Sequence, residues 1–98
     1  MKIGIILLAR TGSTRLPGKV LLKICGKTVL EHIIRRLEKI YPCNKLIVAT
    51  TVNKNDDAIE SLCDNLGVDV FRGSEENVLG RCIGAAEFFG LDIVIRIG

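Results

Sequence analysis

Ile3-Gly4-Ile5-Ile6-Leu7-Leu8 is apolar or glycine at every position. A strand with one wet face alternates apolar and polar residues. A continuous run belongs to a strand covered on both faces, as in parallel sheets. Three further short runs follow: Leu46-Ile47-Val48-Ala49, Val68-Asp69-Val70-Phe71 and Asp92-Ile93-Val94-Ile95-Arg96-Ile97. Helix-length stretches with apolar residues at helical spacing lie between them. The first carries Val29, Leu30, Ile33, Ile34, Leu37 and Ile40 on one face and Arg35, Arg36 and Lys39 on the other. Thr28 with Glu31 three residues on forms a capping box, and Pro42 stops the helix. The second opens at Asp56 and Asp57, where acids suit the positive helix end. It carries Ile59, Leu62, Cys63 and Leu66 and closes at Gly67. The third has Ser74 as N-cap and Glu75 and Glu76 in its first turn. It buries Val78, Leu79, Cys82, Ala85, Ala86 and Phe89 and ends at Gly90. Val20–Ile24 is a short extended piece turned by Cys25-Gly26-Lys27. The β-α-β-α-β-α-β order predicts an α/β fold: a Rossmann-like parallel sheet with right-handed crossovers and helices on both faces.

Composition narrows the function classes. A chain of 98 residues suits one domain, and 48% hydrophobic with 26% charged residues is globular rather than disordered. The net charge of +3 is spread without runs or aromatic interleaving, which argues against a nucleic-acid surface. No apolar run approaches the ~20 residues of a membrane span, and the N-terminal apolar stretch lacks a signal-peptide cleavage site. Cys25, Cys43, Cys63 and Cys82 include no Cys-x-x-Cys pair, and His32 is the lone histidine. That spacing offers neither a zinc site nor a disulfide framework, and free thiols point to a reducing cytoplasm. His32 reads as a partly buried helix residue, and the Asp56-Asp57 pair as helix-end acids rather than metal ligands.

Eleven residues follow the first strand: Ala9-Arg10-Thr11-Gly12-Ser13-Thr14-Arg15-Leu16-Pro17-Gly18-Lys19. Loops after strands in α/β units are usually about 2–6 residues, so connection alone does not account for this one. Its glycines let backbone N–H groups turn toward a ligand, and Arg10, Arg15 and Lys19 supply positive charge. In parallel sheets, ligands sit beyond the carboxyl ends of the strands, where strand order reverses. Thr50-Thr51 and Arg72-Gly73-Ser74 occupy the same end of the second and third strands. The loop is no Walker A, because five residues separate Gly12 from Gly18 and Lys19 precedes Val20. A Gly-x-Gly-x-x-Gly dinucleotide pattern is also absent after the first strand.

Ala9-Arg10-x-Gly12-Ser13-Thr14-Arg15-Leu16-Pro17-Gly18-Lys19, then Gly26-Lys27, resembles the signature of the cytidylyltransferases that make CMP-activated sugars. These include the synthetases for CMP-acylneuraminate and CMP-3-deoxy-octulosonate. Val48-Ala49-Thr50-Thr51 with Asp56-Asp57, Phe71-Arg72-Gly73-Ser74 and Asn77-Val78-Leu79-x-Arg81 resemble the branch named for spore-coat polysaccharide biosynthesis. The resemblance implies a nucleotide-diphospho-sugar transferase-like fold. It also implies a reaction, in which a sugar hydroxyl attacks the α-phosphorus of CTP with Mg²⁺ assistance, releasing pyrophosphate. Carried over, Arg10, Ser13, Arg15 and Lys19 contact the triphosphate, with Arg15 and Lys19 as the catalytic cations. Backbone at Ala9 and Gly12 lines it, and Thr50, Arg72 and Ser74 belong to the base and ribose pocket. On this reading Arg15→Ala weakens CTP binding by roughly tenfold to a hundredfold.

The resemblance further implies an acidic metal ligand in a Gly-Asp context just past the last strand, where this sequence stops at Gly98. Residues 1–98 are therefore expected to be the N-terminal nucleotide-binding part of a truncated cytidylyltransferase domain. They are expected to hold no metal ligand of their own, to bind nucleotide weakly at best and to turn over no CTP. Association through an uncovered sheet edge is expected, as a homodimer or with the remaining half. Two other readings stay open. One is a guanylyl or uridylyl transferase, disfavoured because Ala9-Arg10 stands where those relatives carry Gly-Gly. The other is a non-catalytic nucleotide-binding or interaction module.

Overall fold

Ile5, Ile6 and Leu7 are buried on opposite faces of one sheet, as a continuous apolar strand requires. The structure is a computed structural model and describes residues 1–12, 19–41 and 45–98. Strand β1 (Ile3–Leu8) leads to a 3₁₀ turn at Lys19–Leu21 and a small hairpin of β2 (Lys23–Ile24) and β3 (Lys27–Thr28). Helix α1 (Val29–Ile40), strand β4 (Lys45–Thr51), a 3₁₀ turn at Lys54–Asp56 and helix α2 (Asp57–Leu66) follow. Strand β5 (Asp69–Gly73), helix α3 (Val78–Phe88) and strand β6 (Ile93–Ile97) complete the chain.

The main sheet has the order β5-β4-β1-β6, and every pairing is parallel. Ile6 stands level with Ile47 on one side and with Arg96 on the other. One face packs Ile5, Leu7 and Val48 against Leu30, Ile34 and Leu37 of α1 and Ile59 and Cys63 of α2. The opposite face packs Ile6, Ile47 and Ala49 against Cys82 and Ala85 of α3. Helices on both faces of a parallel sheet are thus what the sequence pattern predicts. Strand order reverses at β1, because β4 and β6 flank it on opposite sides.

The capping residues decide where helices begin. Thr28 caps α1, its hydroxyl accepting from the Glu31 amide at 3.0 Å. Gly67 closes α2 with φ 72°, a left-handed conformation that glycine adopts without a Cβ penalty. The third helix starts later than expected: Asn77, not Ser74, is its N-cap and accepts from the Gly80 amide at 2.8 Å. Glu75 and Glu76 therefore precede the helix. The expected apolar stripe also needs correction, since Leu79 is exposed and Arg81 is buried. Position 81 lies three residues after Val78 and four before Ala85, on the inner side of α3, whereas position 79 points outward. Thr50 and Thr51 continue β4 and are both buried, and Arg72-Gly73 belongs to β5. Val20 and Leu21 form a 3₁₀ turn rather than extended chain. Ile40, expected on the inner stripe of α1, is exposed. Pro42 and Cys43 lie outside the described residues. Among those described, Cys25, Cys63 and Cys82 are free thiols.

Candidate functional site

The chain leaves β1 through Ala9, which is buried and whose amide still donates to the Ala49 carbonyl at 3.2 Å. The next residues are held by a carboxylate from the 3₁₀ turn that follows β4. Asp56 accepts from the amide and the hydroxyl of Thr11, both at 2.8 Å, and from the hydroxyl of Thr51. Arg10, half-buried, donates through Nη1 to the Gly12 carbonyl at 3.0 Å. The start of the long loop is thereby tied to the carboxyl edge of the sheet.

Arg10 also lines a cleft of about 260 Å³, together with Leu8, Ala9, Val78, Arg81, Arg96 and Gly98. The cleft opens between the carboxyl ends of β1 and β6, where strand order reverses. Three of the seven residues that line it are arginines. None of the ion pairs among the described residues involves Arg10, Arg81 or Arg96. Burial lowers the pKa of the Arg81 guanidinium from its usual value, and the positive charges of Arg10 and Arg96 act in the same direction against a smaller opposing pull from Asp56. Such a cleft draws anions and repels cations.

The other residues singled out in the sequence take separate places. Ser13 and Arg15 lie outside the described residues. Lys19 opens the 3₁₀ turn, exposed and away from the cleft wall. Thr50 is fully buried with its hydroxyl unpartnered. Arg72 spans the corner between β4 and α2. Its Nε donates to the Thr51 carbonyl at 2.7 Å and its Nη2 to the Asn53 carbonyl at 2.8 Å. Its Nη1 meets Asp57 at 2.7 Å and Glu60 at 2.9 Å. Ser74 accepts from the Asn77 amide through its hydroxyl, and its carbonyl takes Arg81 Nη1 at 3.0 Å.

Sequence reasoning gave three residues no role in the site. Arg81 carries a readable signal, an arginine on the apolar side of a helix. Arg96 carries another, a cation inside an otherwise apolar strand. Asp56 reads from sequence only as a helix-end acid, because its partner Thr11 is 45 positions away. Among the described residues no helix is long and apolar enough to cross a membrane. No three His, Cys, Asp or Glu side chains among them gather as a metal site.

Known proteins repeat this sequence and this fold. The family described as Cytidylyltransferase matches residues 4–98. An uncharacterized protein of Methanocaldococcus jannaschii is 50% identical over 97 residues, covering 99% of this chain and 40% of its own length. The spore coat polysaccharide biosynthesis protein SpsF of Bacillus subtilis is 38% identical, covering 94% of this chain and 40% of its own length. The solved structure of a cytidylyltransferase from Leptospira borgpetersenii superposes with a TM-score of 0.92 at 40% identity, over 99% of this chain and 41% of that one. A CMP:2-keto-3-deoxy-manno-octonic acid synthetase complexed with CTP superposes with a TM-score of 0.78 at 27% identity, over 99% of this chain and 39% of that one. The chain thus spans about 40% of the length of these relatives. On both its sequence and its fold, the chain belongs to the cytidylyltransferase family.

Proposed function

We propose that residues 1–98 form the nucleotide-binding part of a CTP-dependent sugar cytidylyltransferase of surface polysaccharide biosynthesis. The observation that carries this reading is the arginine-lined cleft at the strand-order reversal between β1 and β6. Two relatives support it: one solved synthetase is a complex with CTP, and SpsF is named for polysaccharide biosynthesis. Arg10 would meet the triphosphate from the cleft wall, and Ser13, Arg15 and Lys19 from the loop. Backbone at Ala9 and Gly12 would line it. The attack of a sugar hydroxyl on the α-phosphorus builds negative charge on the α-phosphoryl oxygens and the departing pyrophosphate. Fixed guanidinium groups stabilise that charge without reorganising. Thr50, Arg72 and Ser74 would belong to the base and ribose pocket. Mg²⁺, expected for the full-length family, would add positive charge at the phosphates when bound. A CTP-using enzyme with free thiols would work in the cytoplasm.

A second reading is nucleotide binding without turnover, which the 40% share of the relatives' length favours for these residues alone. Calorimetry with CTP, GTP, UTP and ATP in the presence of Mg²⁺ tests the first reading. Preferential CTP binding is expected, and equal or absent binding of all four overturns it. Pyrophosphate release from CTP and a sugar acid by these residues alone would dismiss the second reading.

A further inference from the structure

We propose that the β2–β3 hairpin is a membrane-surface contact: it sets Leu22 and Ile24 into the headgroup region of an anionic lipid bilayer while Lys23, Lys27 and Arg36 meet the lipid phosphates. The proposal goes beyond the nucleotide reading and does not rest on it. Six of the fourteen Lys and Arg residues, and none of the eleven Asp and Glu residues, fall within positions 1–30. The first acid is Glu31, which lies 4.0 Å from Arg35. Lys19, Lys23 and Lys27 recur at every fourth position and are exposed, as is Arg36. None of the ion pairs among the described residues involves any of these four cations.

Leu22 is 59% exposed and Ile24 56%. A hairpin with two residues in each strand is marginal by itself, and this one is held by its backbone on α1. The Val29 amide donates to the Leu22 carbonyl at 2.8 Å, and His32 Nε2 donates to the Ile24 carbonyl at 2.7 Å. Two aliphatic side chains are thus presented to solvent on a fixed backbone. Ile24 stands opposite Lys27, so these two share a face, whereas Lys23 stands opposite Thr28 on the other. Ile24 also forms one wall of a groove of about 550 Å³ with Ile33 and Ile97, whose polar members are His32 and Arg36. The surface is aliphatic with cations around it, and no acid lies in the hairpin or lines the groove.

Charge complementarity selects the occupant. A second copy seated on the same patch by a two-fold axis would set lysines against lysines. A nucleic acid is a polyanion, but the hairpin has no aromatic side chain on which a base could stack. An anionic bilayer supplies both halves of the match. Its phosphate plane attracts the cations, and the layer beneath takes the aliphatic groups. Lysine stems can lie along that apolar layer while their ammonium groups stay at the phosphates.

The test is sedimentation of the whole 98-residue chain with vesicles of phosphatidylcholine alone or with about 30% phosphatidylglycerol as the anionic lipid. Binding to the mixed vesicles is expected to be at least about tenfold tighter than to the neutral ones. It should weaken as salt rises from about 0.1 M to about 1 M, which shortens the screening length from about 10 Å to about 3 Å. Lys23→Gln with Lys27→Gln, and separately Leu22→Ser with Ile24→Ser, should each weaken binding by about tenfold. Leu79→Ser, at an exposed aliphatic of α3 across the sheet from α1, should leave it within about twofold. Equal binding to both kinds of vesicle, or binding to neither, overturns the proposal. So does a lysine-pair variant that binds within about twofold of wild type, or a loss from Leu79→Ser as large as that from the hairpin pairs. Soluble heparin that binds as tightly as the mixed vesicles, with no effect of the aliphatic pair, overturns it in favour of a plain polyanion contact. Should the aliphatic pair not fold, the lysine pair decides by the same affinities, because both of its side chains are exposed.

Discussion

The carboxylate of Asp56 accepts from the amide and the hydroxyl of Thr11, both at 2.8 Å, across 45 positions of sequence. Asp56 stands at the N-cap position of α2 and makes no capping bond to that helix. Its acceptors are given instead to Thr11, between Arg10 and Gly12, and to Thr51 at the end of β4. Burial alone would push this carboxyl up. The hydrogen bonds from Thr51 and Thr11, with the charge of Arg72, outweigh burial and hold it below the ordinary carboxylate range.

Removing that carboxylate should loosen the loop and cost stability. Asp56→Ala is expected to lower the unfolding free energy by about 2–3 kcal/mol, the scale of hydrogen bonds to a buried charged group. The Thr11 amide should also exchange its hydrogen faster than in wild type. Urea denaturation and amide exchange measure the two effects. A loss below about 0.5 kcal/mol, the scale of an ordinary surface substitution, would show that these bonds do not bear on stability.

The same carboxylate sets an acid dependence. Its pKa in the folded chain lies below the unfolded value of about 3.9. Its contribution is therefore fully present above the unfolded value and is lost as pH falls through the folded one. The stability gap between wild type and Asp56→Ala should be constant above about pH 5 and shrink below about pH 4. Denaturation curves across that range would read it. A gap that widens toward acid would contradict the sign of the shift.

The thiols should divide by burial. Cys63 is fully buried in α2, and burial, helped by Asp64 and Glu60, pushes its thiol up to about 11. Near pH 8 it is neither exposed nor ionised, and the thiolate is the reactive form. A thiol reagent applied to the native chain should mark Cys25, which is exposed, and spare Cys63 and Cys82 until denaturant is added. Peptide mass analysis assigns the sites. Fast native labelling of Cys63 would mean that α2 opens readily.

Arg72→Lys tests the corner between β4 and α2. A lysine cannot reach the Thr51 and Asn53 carbonyls and the two acids at once, because its donors sit on one point rather than a planar fork. Asp57 and Glu60 are solvent-exposed enough that their ion pairs add little. The expected loss is about 1–2 kcal/mol, from the two carbonyl bonds. Chemical denaturation measures it, and unchanged stability would show that the corner does not depend on the guanidinium fork.

Periodicity made the scaffold legible. The continuous run Ile3–Leu8 called for burial on both faces, and Ile5, Ile6 and Leu7 are buried there. Thr28 and Gly67 marked helix ends by local chemistry that acts within a few residues. Asn77 displaced Ser74 as a cap because both side chains can cap and only the course of the chain from β5 selects between them.

Residue order alone specified the succession of strands and helices, the faces that would be buried, the family, and the loop after β1 as the place to look for a ligand. Folding decided which charges meet. Arg10, Arg81 and Arg96 come from three different elements, and parallel crossovers bring their ends to one sheet edge. Asp56 reaches Thr11 only because β4 lies beside β1 in register. Caps and apolar periods are local interactions and so can be read along the chain. A charge cluster depends on through-space distance between remote segments, which only the folded chain sets.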